Sequence, residues 1–305
     1  MTEAIPSLSI IIATYNRAPY LLGTLESLAA QHLDPARWEA VVVNNNSKDN
    51  TAEVFATFAA AHPELQMTMV TETRQGLSHA RNCGIRHSRA PYVAIIDDDE
   101  KVNPGFAASY IDFFERYPEA AGGGGVVVPI YECPPPRWLS PIAARPIAGA
   151  LYLGDQVRPF PARKYPPGGN MGVRRKTLER YGLFNTELGR TGEKPMGGEE
   201  KELFARLRAA GEKIYYLPGA VIYHLIPASK LTPDYFDRVN RMGGMSERVR
   251  TRELGRMAYL RRLVAEGVKW VGALVFAIGY TLRLQPLKGW FLLRMRWQIS
   301  RGLIG

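Results

Sequence analysis

Four consecutive acidic residues, Asp97, Asp98, Asp99 and Glu100, close the apolar run PYVAIID (91–97). Carboxylates this crowded repel one another unless a cation or a hydrogen-bond network compensates. A helix starting near the following NPGF would welcome one acid at its N-terminus. Three aspartates at the end of a buried strand point instead to a divalent ion, and all-oxygen ligands suit Mg²⁺ or Mn²⁺ better than zinc. Such an ion would hold a diphosphate and neutralise it as a leaving group. Strand alternation is expected to turn Asp97 and Asp99 to one side and Asp98 to the other. A second acidic pair, Glu199 and Glu200, follows Gly197-Gly198. By itself it reads equally as a proton acceptor with its neighbour or as two acids favoured in the first turn of a helix. His224 ends the run VIYH, while His32, His62, His79 and His87 lie in or beside helix-like stretches and are assigned no chemistry.

These residues need a scaffold, and the first hundred positions describe one. LSIIIATY (8–15), EAVVVNN (39–45), QMTMVTE (66–72) and PYVAIID (91–97) are short runs rich in β-branched residues. Helix-like stretches at 20–31, 51–62 and 77–88 separate them. This alternation predicts βαβ units and an α/β fold with a mostly parallel sheet. Continuous apolar strands fit a sheet covered on both faces. In such sheets the functional crevice lies beyond the carboxyl ends of the strands. Polar clusters stand there: Tyr15-Asn16-Arg17, Asn44-Asn45-Asn46-Ser47 and the aspartate run. Neither a Walker loop nor G-x-G-x-x-G opens a helix, so phosphates must be neutralised in another way. GGGGVVVPIY (122–131) predicts a fifth strand. Proline-rich segments at 133–141 and 159–170 read as a long loop with a role as lid or acceptor contact. A helix near 199–211 and a strand near 213–224 complete the body.

Taken in order, SIIIATYNR, VVVNNNSKDNT, GLSHARNCGI, YVAIIDDDE, GGNMGVRR and GGEEKELFARL resemble the family 2 glycosyltransferases of GT-A fold, of the bacterial type, over roughly residues 7–240. The resemblance implies transfer of a sugar, with inversion, from a nucleotide-diphosphate donor with the aid of Mg²⁺ or Mn²⁺. It implies that Ala13, Tyr15, Asn16 and Asn44 line the nucleotide pocket, and that Arg81 holds the base or the diphosphate. Asp97 and Asp98 would face ribose and donor sugar. Asp99 would bind the metal with His224 as a further ligand. Gly169, Asn170 and Glu199 would meet the acceptor, and Glu200 would be the base. Two positions depart from the family pattern. Glu200 stands where the family has Asp, a longer reach by one methylene. Asn44 also replaces an Asp, and an amide can donate as well as accept, which leaves UDP favoured and GDP open. A sugar nucleotidyltransferase would release pyrophosphate instead, and a glycoside hydrolase needs two separated carboxylates and no nucleotide. The non-enzymatic rival is a membrane-bound scaffold of the same fold.

Charge says where such an enzyme would sit. The 39 Lys and Arg and 29 Asp and Glu are unevenly spread: residues 240–305 hold 13 and three, leaving 26 of each in residues 1–239. A neutral body excludes a uniformly basic nucleic-acid binder. Cys83 and Cys133 have no zinc-ligand spacing and form no disulfide framework, which fits a reducing compartment. The start has no basic n-region, so no signal peptide is expected. The expected division is a catalytic domain over 1–239, with a nucleotide-binding half (1–120) and an acceptor-binding half (121–239), then a helical extension over 240–305. In that extension WVGALVFAIGYTL (270–282) is uncharged but short of the ~20 residues a bilayer requires. Extending it upstream admits Glu266 and Lys269, each costing ~2–3.5 kcal/mol at mid-membrane. Trp290, Phe291 and Trp297 interleaved with Lys288, Arg294, Arg296 and Arg301 predict attachment to an anionic membrane surface, on its cytoplasmic face; the alternatives are a marginal spanning or re-entrant helix, a helical subdomain packed on the body, and contact with an anionic polymer. The acceptor would be a glycan or a lipid-linked sugar in cell-surface polysaccharide synthesis.

Overall fold

In the computed structural model, residues 5–162, 164–191 and 197–305 are described. Strands β1 (Leu8–Thr14), β2 (Trp38–Asn44), β3 (Met67–Thr71) and β4 (Tyr92–Asp97) run parallel, joined by helices α1 (Ala18–Ala29), α2 (Thr51–Ala61) and α3 (Leu77–His87). There follow β5 (Glu100–Val102), α4 (Phe106–Arg116), β6 (Ala120–Tyr131), α5 (Pro141–Ala148), β7 (Arg158–Pro159), β8 (Met171–Arg174) and α6 (Arg175–Tyr181). The chain ends with α7 (Glu199–Ala209), β9 (Lys213–Ile226), α8 (Pro233–Glu253), α9 (Arg256–Leu282) and α10 (Pro286–Ile304). The sheet order is β3-β2-β1-β4-β8-β6-β9-β5, with β7 on β9. The parallel half is the one the sequence predicts. Beyond β4 the pairings β4–β8, β6–β8, β5–β9 and β7–β9 are antiparallel, making the whole a mixed sheet.

The continuous apolar strands serve two cores. In β1, Ile10 and Ile12 pack with Leu21 and Leu25 of α1 and Phe106 of α4. Ile11, between them, faces the other way and packs with Ala80 and Cys83 of α3 and Phe204 of α7. Period-two alternation sends neighbours to opposite faces, so a strand covered on both sides has no polar positions. Each such fully buried side chain contributes ~1.5–3 kcal/mol. Helix α3 lies flush on the sheet because position 84 is glycine: a Cβ there would collide with the Ile11 side chain and stand 3.0 Å from Val43.

The chain divides into two compact units. Among the described residues the first gathers 5–128, 150–191 and 199–224, and the second gathers 129–149, 197–198 and 225–305. The expected division at 239/240 falls inside α8, which starts at Pro233 behind a Thr232 side-chain cap. Within the second unit, part of the proline-rich segment is ordered as α5, capped by the Ser140 hydroxyl. Its neighbour Trp138 stacks on Phe291 at 4.2 Å and meets Phe236 edge-on. Helices α8 and α10 touch backbone to backbone: a Cβ on Gly244 would overlap the Ile299 carbonyl, and one on Gly302 the Arg241 carbonyl.

Candidate active site

The carboxyl ends of β1, β2 and β3 carry loops held by asparagine side chains. Asn16 adopts φ 53° and Asn46 φ 65°, a region asparagine tolerates better than other non-glycine residues. The Asn16 backbone N–H donates to Ser47 Oγ (2.9 Å), and its side-chain oxygen accepts from the Lys48 N–H (2.7 Å). Asn44 Oδ1 accepts from the Ser47 N–H (2.8 Å), so the oxygen that an Asp would also offer is engaged in the turn. Asn45, buried, donates to the carbonyls of Glu72 and Arg74 and accepts from the Gly76 N–H. Ala13 pairs in register with Val43 and with Asp97, and Tyr15 is exposed beyond it. The three loop ends are thereby fixed to one another at one edge of the parallel half.

Strand β4 stops at Asp97, and Asp98 and Asp99 form a turn before β5. Strand alternation therefore does not reach Asp99, which corrects the expected pairing of Asp97 with Asp99. Asp98 and Asp99 share one cation: Arg17 Nε stands 3.2 Å from Asp98 Oδ1, and Nη2 2.7 Å from Asp99 Oδ2. Burial is the largest influence on Asp98 and pushes its carboxyl up to about 7, against the opposing pull of Arg17. Asp97 instead turns to Arg81. Glu100 is buried, accepts from the Asp97 N–H (2.9 Å), and is raised well above the ordinary carboxylate range by burial and by the charges of Asp97 and Asp99. Its carboxylate lies against Gly169, where any Cβ would overlap it.

Arg81, 1% exposed, is the junction of the site. Its Nη1 donates to Glu199 Oε1 (2.7 Å); its Nη2 donates to Asp97 Oδ1 (2.9 Å) and to the Gly168 carbonyl (3.0 Å). Three elements and the Gly168-Gly169 segment meet on one guanidinium. Glu199 is buried and paired there, whereas Glu200 is only partly buried. Burial and the adjacent Glu199 charge push Glu200 up to about 7, partly offset by Arg81. A carboxylate poised near neutrality is what a general base requires. Asn170 is fully buried: it accepts from Tyr110 Oη (2.8 Å) and donates to the carbonyls of Val126 and Ala220 (2.9 Å each). It braces the turn that carries Gly169, and its side chain does not face the crevice.

His224 on β9 lies opposite Glu100 of β5 in register, and its Nε2 is 3.8 Å from Asp99 Oδ2. Among the described residues no group of three His, Cys, Asp or Glu converges as a metal cage. One carboxylate and one imidazole fit an ion that takes its remaining ligands from phosphate oxygens and water. Residues that sequence reasoning left without a role are Arg17, Ser47, Glu72 and Glu100. Glu72 carries Arg74 and is lowered to about 2 by that bond.

A sheet that is parallel in its first half, with acidic and amide side chains gathered beyond its strand ends, sets its crevice where open α/β folds bind their ligands. A profile of glycosyl transferase family 2 matches residues 9–182, and the chain belongs to that family. It is a glycosyltransferase. It is 25% identical over 248 residues to the glucosyl-dolichyl phosphate glucuronosyltransferase of Haloferax volcanii, covering 79% of this chain and 76% of that one. It is 27% identical over 264 residues to the chondroitin synthase of Escherichia coli, covering 74% of this chain and 36% of that protein. The mannosyltransferase PcManGT from Pyrobaculum calidifontis, solved with GDP-Man and Mn²⁺, superposes with a TM-score of 0.65 at 19% identity, covering 98% of this chain and 87% of that one. The S. aureus TarS fragment solved with UDP gives 0.54 at 17% identity, covering 78% and 64%. These structures share the GT-A fold with this chain.

Proposed function

We propose that the protein moves a sugar, with inversion, from a nucleotide-diphosphate sugar to a hydroxyl of a glycan or lipid-linked acceptor in cell-surface polysaccharide synthesis. The observation that carries this reading is the Arg81 junction, which ties Asp97 and Glu199 beside a Glu200 poised near neutrality. Glu200 takes the proton of the acceptor hydroxyl as that oxygen attacks the anomeric carbon. Glu199, neutralised by Arg81, is the weaker candidate for that proton and serves the acceptor's other hydroxyls. Ala13, Tyr15, Asn16 and Asn44 border the nucleotide, with Asp97 and Asp98 toward ribose and sugar. The donor is a UDP-sugar, with GDP as the second candidate; the relatives' structures hold UDP or GDP-Man. Asp99 and His224 would hold Mg²⁺ or Mn²⁺, which when bound neutralises the departing diphosphate. A lipid-linked acceptor is supported by the dolichyl phosphate in the Haloferax volcanii relative's name and by the basic, apolar residues 240–305, which favour a seat on a membrane, proposed here as its cytoplasmic face.

Turnover of a panel of nucleotide sugars with Mg²⁺ or Mn²⁺ tests the reading. Asp99→Ala is expected to abolish release of nucleoside diphosphate. Glu200→Gln is expected to slow transfer by roughly 10²–10⁴-fold while the donor still shifts the melting temperature. Full activity in both variants would remove the assigned roles, and release of pyrophosphate would replace the reading with nucleotidyl transfer.

A further inference from the structure

Helix α9 is long and apolar enough to cross a bilayer, with mean hydropathy 1.5 over its most apolar window and only 17% of that window buried. Its side chains are sorted by face. Leu260, Val264, Val268, Val271, Val275 and Ile278 recur every three or four residues and are each between 53% and 69% exposed. They form one unbroken apolar ridge on a helix about 40 Å long. The opposite face is polar and engaged. Glu266 is buried between Arg262 Nη1 (2.9 Å) and Arg296 Nη1 (3.0 Å). Tyr259 Oη donates to the Leu303 carbonyl, and Trp270 Nε1 donates to Ser300 Oγ. Near the far end, Gly289 lets α10 close on the backbone of Ala277.

We infer that α9 lies flat in the interface of an anionic bilayer, with this ridge in the acyl region, and does not span it. The contacts with α10 run the whole length of α9. A spanning α9 would therefore carry Lys288, Arg294, Arg296 and Arg301 of α10 into hydrocarbon, at ~2.5–3.5 kcal/mol for each near the centre. Lying flat covers the ridge and leaves the Glu266 network inside protein. Charge favours lipid over a second copy of the chain. Glu266 is the only acid in α9 and it is buried, whereas Arg256, Arg261 and Arg283 are exposed beside the ridge. Two ridges packed together would find no carboxylate on α9 for those arginines, while anionic headgroups supply one per lipid. The α9–α10 turn adds an independent sign. Leu284 holds φ 58° and is 90% exposed, a conformation and an environment both unfavourable for leucine in water. Trp290 and Trp297, seven residues apart on α10 and more than half exposed, are side chains that settle at headgroup level.

The inference rests on the membrane-surface reading above, but its test uses no sugar and so fails or stands apart from the transferase assignment. The full chain is floated with phosphatidylcholine vesicles, with and without phosphatidylglycerol. It is expected to float with the anionic vesicles, and Val268→Asp and Val271→Asp together to lower partitioning at least tenfold without altering nucleotide release. Fluorophores on Leu260→Cys, Val268→Cys and Ile278→Cys, in a chain lacking Cys83 and Cys133, are expected to report equal depth by lipid-borne quenchers. A profile deepest at Val268 and shallow at both ends would establish spanning and overturn the inference. Absence of flotation, with or without a dimer by light scattering, would overturn it as well.

Discussion

The site's behaviour toward protons follows from single residues. As the proposed base, Glu200 must be ionised to accept a proton, and it stands at about 7 because burial and Glu199 oppose its charge. Transfer is expected to rise with pH through about 7 and then level, and a pH–rate profile of donor turnover checks this. The same shifts bear on stability. Glu200 and Asp98 bind protons more tightly folded than unfolded, so their contribution is complete below about pH 4 and is lost as pH climbs through about 7. Glu72 has the opposite sign: its ionised form is favoured, and its contribution disappears as pH falls toward about 2. The metal-free protein is therefore expected to melt higher near pH 5 than near pH 8, measured by calorimetry. Residue types alone left the two glutamates interchangeable. Arg81 separates them, and that contact joins positions 118 residues apart, beyond any local pattern. The sharing of Arg17 by Asp98 and Asp99 was hidden for the same reason, as was the Glu100 carboxylate on Gly169.

Among elements, those that could be read in advance were those whose sequence obeys one dominant rule. The strands β1 to β4 are continuous apolar runs because both faces are covered, and α1 to α3 fall between them. Three-residue β5 has no periodicity to read, since its existence depends on β9 across from it. Helix α5 was masked by the prolines around it, although Pro141 at its start and Ser140 as its cap are ordinary helix openings. Gly84 offers a test at this scale. Gly84→Ala drives a methyl into Ile11 and is expected to cost ~1–3 kcal/mol by lifting α3 from the sheet. Arg81 lies one turn earlier on that helix, so the melting temperature and donor turnover should fall together. Gly272→Ala, with open space around it in α9, is the matched control; it should be neutral or stabilise by up to ~1 kcal/mol.

On the scale of the whole molecule, charge and chemistry are kept apart. The neutral residues 1–239 contain the acidic crevice, and the surplus of ten positive charges belongs to residues 240–305. Association with phosphatidylglycerol vesicles is expected to weaken as salt rises from about 0.05 to about 0.5 M, as the Debye length shrinks from over 10 Å to below 5 Å. A residue of binding should persist, because the α9 ridge does not depend on charge; co-sedimentation against ionic strength measures both parts. The Arg81 junction has a consequence of another kind. Its guanidinium, two carboxylates and a glycine carbonyl come from positions 81, 97, 168 and 199 of one chain. Losing Arg81 strands the buried Glu199 carboxylate, at ~3–5 kcal/mol, whereas losing either carboxylate leaves the arginine one carboxylate partner. Single-step loss is thereby closed at the arginine more than at either acid: a lineage that exchanges Arg81 must exchange Glu199 with it, and its record should carry those two positions linked.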